Sequence, residues 1–324
     1  MSKRLLAAVL AVLLVAASVL ACSDKAEEGQ TRRLQAGETA RVMFITQSLA
    51  NPAQEFIWSE FERLQGEYNI EMSLISGNND AAIEIAGIEQ AISEGYDAII
   101  ITPSNADAII PALTHAKDEG IVIGMFASEL PEAHRHIRDF FTNSNDYESG
   151  KLAGQFVSEL FPEGANYVEV GGQAGHDSQS RRRAGFRSGV ASNINELASQ
   201  SSTGGWSAYE AQVIMEEFLA LYGTQIDVVW CHWDLGASGV IAAVQEAGRD
   251  DIVVVSVDGT ALGYDLVKNG TLALTVGQSF TNMVIQSLST TRQLLDGKSV
   301  PEVNYILMDI VTLDNVNTLP QPKW

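Results

Sequence analysis

Few residues of this sequence are set up for covalent chemistry. Two cysteines cannot build a disulfide framework. Cys231 sits in the apolar run Val228-Val229-Trp230-Cys231 and reads as a buried small hydrophobe rather than a nucleophile. His134 and His136 flank Arg135, a cation that disfavours a metal between them. Gly171-Gly172-Gln173-Ala174-Gly175 has neither the Gly-x-Gly-x-x-Gly spacing nor a Gly-Lys-Ser/Thr, so it is a weak phosphate loop. Gly-x-Ser-x-Gly and His-Glu-x-x-His do not occur. What remains is a set of amides, carboxylates, guanidinium groups and indoles. Such side chains hold a solute by hydrogen bonds and stacking, so no enzyme and no cofactor are expected.

The composition fits that reading. The 324 residues amount to about two domains. Hydrophobic residues at 46% and charged residues at 19% are an ordinary globular mix, unlike a disordered chain or a polytopic membrane protein. The formal charge of −21 argues against an electrostatic grip on nucleic acid.

The first residues form a separate unit. Lys3 and Arg4 precede a run from Leu5 to Leu20 that is short for a bilayer span, and the pattern reads as a signal peptide over residues 1–21. Val19-Leu20-Ala21-Cys22 resembles the lipobox of bacterial lipoproteins, with Cys22 as the lipidated residue. An ordinary cleaved signal with an incidental Cys is the alternative. Ser23, which is not Asp, resembles an outer-membrane address in a Gram-negative envelope. The polar residues up to about 40 read as a tether. The expected location is periplasmic or cell-surface, with the lipid as the membrane contact.

The elements that would position the polar side chains follow from the rest of the pattern. From residue 41, short β-branched runs alternate with longer amphipathic ones. Strands are expected at Arg41–Thr46, Glu71–Ser76, Ala98–Thr102, Val122–Phe126, Tyr167–Val170, Asp227–Cys231, Ile252–Val257 and Leu272–Val276. Helices such as Asn51–Gln65, Ala81–Glu94, Ser180–Asn193 and Thr281–Leu295 lie between them. Near-continuous apolar strands mark parallel sheets covered on both faces. Their alternation with helices predicts an α/β, doubly wound fold. The length exceeds one comfortable core, which predicts two lobes joined by several chain crossings. Ligands of such sheets sit beyond the carboxyl ends of the strands. The residues to inspect are therefore those after each strand: Gln47 and Asn51-Pro52, Thr102-Pro103, Phe126-Ala127, Gly171 to Gly175 leading to Arg181-Arg182-Arg183, His232-Trp233-Asp234, Asp258-Gly259-Thr260, and Gln278.

Asn51-Pro52, Arg182-x-x-Gly185-Phe186, Val254 to Thr260 and Thr275-Val276-Gly277-Gln278, in this order, resemble the type I periplasmic solute-binding proteins of the ribose/galactose-binding and LacI-like group. The resemblance covers about residues 41–318. It implies two Rossmann-like doubly wound lobes joined by a three-crossover hinge near 143–146, 277–280 and 304–307. The lobes would be 41–144 plus 279–305 and 145–278 plus 306–318, with a tail at 319–324. It also implies a small sugar-like, polyhydroxylated solute bound by hinge closure, an ABC permease in the inner membrane as partner, and a monomer. By position, Asn51, Asp258 and Gln278 match the sugar-hydroxyl ligands, Trp206 the stacking aromatic, and Gln47 and Ser144 lining positions. The residue types suit the task. Asp accepts hydroxyl protons in charge-assisted bonds, Asn and Gln both donate and accept, and a flat aromatic covers a C–H face.

The sequence departs from the group in places. Phe126-Ala127 stands where an Asp-Arg pair is usual, and Trp233 occupies an Asn position. The usual pocket Arg aligns with Ser180, and a one-residue shift brings Arg181 or Arg182 there. Helix neighbours point ~100° apart, so the three arginines cannot all face one pocket. These changes leave open a polyol, a deoxy or modified sugar, or another small polar solute. Plain structural roles compete at each position: Asn51 as a helix cap, Asp258 as a turn residue, Gln278 as a solvated strand end, Trp206 and Trp233 as packing aromatics. The rival function is a same-fold receptor that presents a sugar or autoinducer-type signal to a membrane sensor.

Overall fold

The computed structural model describes residues 32–324. The expected signal peptide, Cys22 and the first part of the tether lie outside the described residues. The first sheet contains β1 (Ala40–Thr46), β2 (Ile70–Ser76), β3 (Ala98–Thr102), β4 (Val122–Phe126), β5 (Phe140–Asn143) and β11 (Val303–Tyr305), in the order β11-β5-β4-β3-β1-β2. The second contains β6 (Ala165–Gly171), β7 (Ile194–Ser201), β8 (Val228–Cys231), β9 (Val253–Asp258), β10 (Leu274–Gly277) and β12 (Asp309–Thr312), in the order β12-β10-β9-β8-β6-β7. Every pairing is parallel except β12 against β10. In register, Val42 of β1 lies between Met72 of β2 and Ala98 of β3.

Helices α1 (Pro52–Leu64), α2 (Ala81–Ser93), α3 (Ile110–Asp118) and α9 (Phe280–Leu295) cover the first sheet. Helices α4 (Asp146–Leu160), α5 (Asp177–Gly189), α6 (Ala208–Tyr222), α7 (Asp234–Glu246) and α8 (Ala261–Lys268) cover the second. Each sheet is thus packed on both faces, which is why all five residues of β3 are buried and its first four read as an unbroken apolar run. The chain passes between the lobes after β5, after β10 and between β11 and β12.

Two α/β lobes with parallel sheets agree with the fold class read from the sequence. Several elements were not foreseen. β7 is an edge strand whose residues, Ile-Asn-Glu-Leu-Ala-Ser-Gln-Ser, are half exposed and carry little apolar signal. β5, β11 and β12 span three or four residues each. α8 spans eight, too few for a periodic pattern to stand out.

Candidate ligand-binding site

A cavity of about 210 Å³ lies between the lobes. Its lining comes from the carboxyl ends of strands and the first turns of helices. Gln47 follows β1, Thr102 closes β3 and Ala127 follows β4. From the second lobe come His176, Ser178 and Arg182 at the start of α5, Trp206 ahead of α6, and Trp233 ahead of α7. Asp258 ends β9, Thr260 caps α8, and Gln278 and Phe280 lie on the second crossing and the start of α9. The walls between the polar groups are apolar: Pro52, Ala53, Leu235, Leu262 and Trp324.

Asn51 has two roles. Its Oδ1 accepts from Ala53 N–H at 3.0 Å and caps α1, with Pro52 at the first helical position. That cap uses one lone pair of Oδ1 and leaves Nδ2 as the donor Asn51 can offer a ligand.

Arg182 is buried and organises the second-lobe wall. Its Nε donates to Asp146 Oδ1 at 2.7 Å, Nη1 donates to His232 O, and Nη1 lies 3.5 Å from Asp258 Oδ1. Its Cζ stands 5.5 Å from the Trp206 ring centroid. Burial disfavours the Asp146 charge, but Arg182, Asn143 and Ser178 outweigh it and hold that carboxyl below its usual range. Asp258 has φ +127, a left-handed value that strains a non-Gly residue. Its Oδ1 accepts from Gln278 Nε2 at 2.8 Å. Burial raises the Asp258 carboxyl to about 7; Arg182 opposes the shift and the Asp234 charge adds to it.

Aromatic rings complete the wall. Trp206 meets His176 and Trp233 edge-on, each at 5.5 Å between centroids. A Cβ on Gly172 would stand 2.1 Å from Trp206 Cζ3, so Gly172 makes room for the indole. Burial lowers the His176 pKa to about 4, which leaves a neutral ring. Ser178 N–H donates to its Nδ1 at 3.2 Å, so the ring proton sits on Nε2. Three polar atoms of the lining are buried without a protein partner: Gln47 Oε1, His176 Nε2 and Trp233 Nε1. Unpaired buried groups of this kind cost free energy until something hydrogen-bonds them.

Seven of the residues singled out in the sequence meet at this cavity: Gln47, Asn51, Arg182, Trp206, Trp233, Asp258 and Gln278. Three do not. Phe126 points into the first-lobe core, 6.2 Å from Phe44 and 5.7 Å from Phe61 between centroids; its neighbour Ala127, at φ +57, takes the lining place. Ser144 turns its Oγ to Met283 Sδ at 3.2 Å under the first crossing. Arg181 faces away from Arg182 around α5; it pairs with Asp177 at 2.8 Å and lies over Phe141, in a separate depression with Arg135, Tyr147 and Tyr305.

Sequence reasoning missed His176, Ser178, Phe280 and Trp324. The helix-start positions of the first three carried a signal, since lining residues gather there. Trp324 carried none. Among the described residues no group of three or more His, Cys, Asp or Glu side chains is arranged to hold a metal ion.

Comparison with known proteins extends this geometry. A family model described as a periplasmic binding protein domain matches residues 41–299. A xylitol-binding protein of Mycolicibacterium smegmatis is 28% identical over 251 residues, 77% of this chain and 70% of that protein. The ribose import binding protein of Escherichia coli is 26% identical over 262 residues, 80% of this chain and 86% of that protein. Among solved structures, an ABC transporter solute binding protein of Bacillus halodurans with bound myo-inositol superposes with a TM-score of 0.79 at 24% identity, covering 87% of this chain and 98% of that one. The fructose binding periplasmic domain of a hybrid two component system reaches 0.79 at 22% identity, covering 86% and 92%. Two lobes, a cavity between them and a family match over most of the sequence lead to one assignment: the chain belongs to the periplasmic binding protein family, in its type I form.

Proposed function

We propose that this protein is the extracytoplasmic binding component of an ABC importer, lipid-anchored through Cys22, and that it captures a small sugar or polyol. The observation that carries the ligand class is the lining itself. Gln47 Oε1, His176 Nε2 and Trp233 Nε1 are unpartnered acceptor and donors set among indoles and aliphatic carbons. A polyhydroxylated ring or chain offers both hydroxyls for those atoms and C–H faces for the aromatic walls. In this reading Asp258 and Gln278 take adjacent hydroxyls, Asn51 donates from the first lobe, and Trp206 covers a C–H face.

The lobes touch across the cleft. Ser178 Oγ donates to Ala127 O at 2.9 Å and Glu129 N–H to Asp177 Oδ2 at 3.2 Å. A ligand that bridges both lobes adds to these bonds and favours the closed form, which is what a permease would recognise. The relatives named for xylitol and ribose support the solute class.

A thermal-shift panel of D-ribose, xylitol, myo-inositol and hexoses tests the reading. One or more should raise the melting temperature by mass action. A panel with no stabilising member would count against a sugar or polyol. The fructose binding domain of the two component system supports a second reading, in which the bound form signals to a membrane sensor rather than a permease. Co-purification with a permease favours the importer; co-purification with a kinase favours the sensor.

A further inference from the structure

The last residues of the sequence cross the cleft. Residues up to Gln321 belong to the second lobe: Leu319 packs on its core, and Lys268 Nζ on α8 donates to Gln321 Oε1 at 2.8 Å. Three residues on, the Trp324 indole packs on the first lobe. Its ring centroid lies 4.4 Å from that of Phe280 and 6.0 Å from that of Phe56, nearly parallel to the latter at 17°. Its backbone returns to the second lobe, where Trp324 O accepts from Ala261 N–H at 2.6 Å, at the first position of α8. The same indole lines the cavity between the lobes. A second cavity of about 240 Å³ shares Gln278, Phe280 and Trp324 as its wall.

We propose that Trp324 is a specificity-determining residue, delivered to the cleft by a strap from the second lobe. The assignment rests on the solute-binding reading above for its ligand, though not for the strap. Trp324 bounds the cleft beside Gln278 and limits how far a solute extends past it. Because the Trp324 indole sits on one lobe and the Trp324 backbone oxygen is bonded to the other, opening the hinge must break one of these attachments. The strap therefore biases the ligand-free protein toward closure and slows ligand escape.

Two variants separate the parts. Trp324→Ala removes the ring. Ala261→Pro keeps the ring and removes the N–H that holds the strap; proline is well accepted at a first helical position, and Thr260 ahead of it already has the extended backbone that proline requires, at φ −70 and ψ 167. The probes are xylitol, D-ribose and myo-inositol on the full chain. For whichever stabilises the wild type, both variants should bind about tenfold more weakly or worse, mainly through faster dissociation, and Trp324→Phe should recover part of the loss. Equal affinity in wild type and Trp324→Ala overturns the contact. Small-angle X-ray scattering of ligand-free protein reads the strap independently. Ala261→Pro should have the larger radius of gyration, and a variant as compact as wild type overturns the strap. If none of the three probes stabilises the wild type, it is the solute-binding reading that fails, and the scattering result alone judges the strap.

Discussion

Gln278 Nε2 donates to Asp258 Oδ1 over 2.8 Å, and Gln278 N–H donates to Asp258 O at the same distance. The two bonds tie the end of β9 to the second crossing between the lobes. If Asp258 accepts from the solute as proposed, a ligand acceptor and a hinge are one unit, and a solute that pulls on the carboxylate also pulls on the connection that must bend.

Asp258 gives the protein a pH dependence. In the ligand-free protein its pKa is raised to about 7 by burial, against about 4 for an unfolded Asp. The folded state then holds the proton more tightly, so this group makes the fold less stable as pH climbs from about 4 to about 7. Binding has the opposite sign. Solute hydroxyls donate to the ionised carboxylate, so affinity should rise over the same interval and level off above about 7. His176, lowered to about 4, stays neutral across most of that range. Calorimetric titration from pH 5 to 8.5 checks the slope, and Asp258→Asn should flatten it. A slope that survives in Asp258→Asn belongs to another group.

Trp206→Ala should weaken binding by about 1–3 kcal/mol if the indole stacks on a sugar face. Gly172→Ala should mimic it with the indole still present, because the added methyl overlaps Trp206 Cζ3. Affinity loss in the first variant and none in the second would mean that the indole finds another productive seat. Intrinsic fluorescence reports the same contact, since Trp206 and Trp233 both line the cavity.

Arg182→Met should be destabilising as well as non-binding. Asp146 is buried, and Arg182 is its charged partner. Removing one member of a buried ion pair typically costs about 3–5 kcal/mol, because the other charge is stranded. The double variant Arg182→Met, Asp146→Asn should regain much of the melting temperature and none of the affinity. A double variant as unstable as the single one would show that the loss lies in packing against Trp206 rather than in the stranded carboxylate.

The architecture was legible because its strands are central and apolar, and because Asn51-Pro52 is a strong helix start. Post-strand positions located Gln47, Asp258 and Gln278 at the cavity for the same reason: the fold puts strand ends there. Sequence could not choose between Arg181 and Arg182, since both directions around α5 bury a guanidinium, one against Asp146 and one against Asp177. Phe126 misled because the fully buried β4 gives no alternation to mark which neighbour faces out. Trp324 depends on a chain path that no local pattern encodes.

Gly185 connects the backbone to that choice of arginine. Helices α4 and α5 approach so closely that a Cβ on Gly185 would lie 1.9 Å from Tyr147 O, and one on Gly150 2.1 Å from Arg182 O. Four glycines, two on each helix, form this contact, and it sets how deeply α5 and its Arg182 side chain sit. Gly185→Ala must push the helices apart, at a typical overpacking cost of about 1–3 kcal/mol. The shift should carry Arg182 away from Asp258, so affinity should fall alongside the melting temperature although Gly185 lines no part of the cavity. Paired measurements on Gly185→Ala and on Gly205→Ala, a loop glycine with φ +114 and open space around it, separate the two effects. The second should lose stability through backbone strain and move Trp206 rather than Arg182. Full affinity in Gly185→Ala would mean that α5 yields elsewhere along its length and leaves the guanidinium in place.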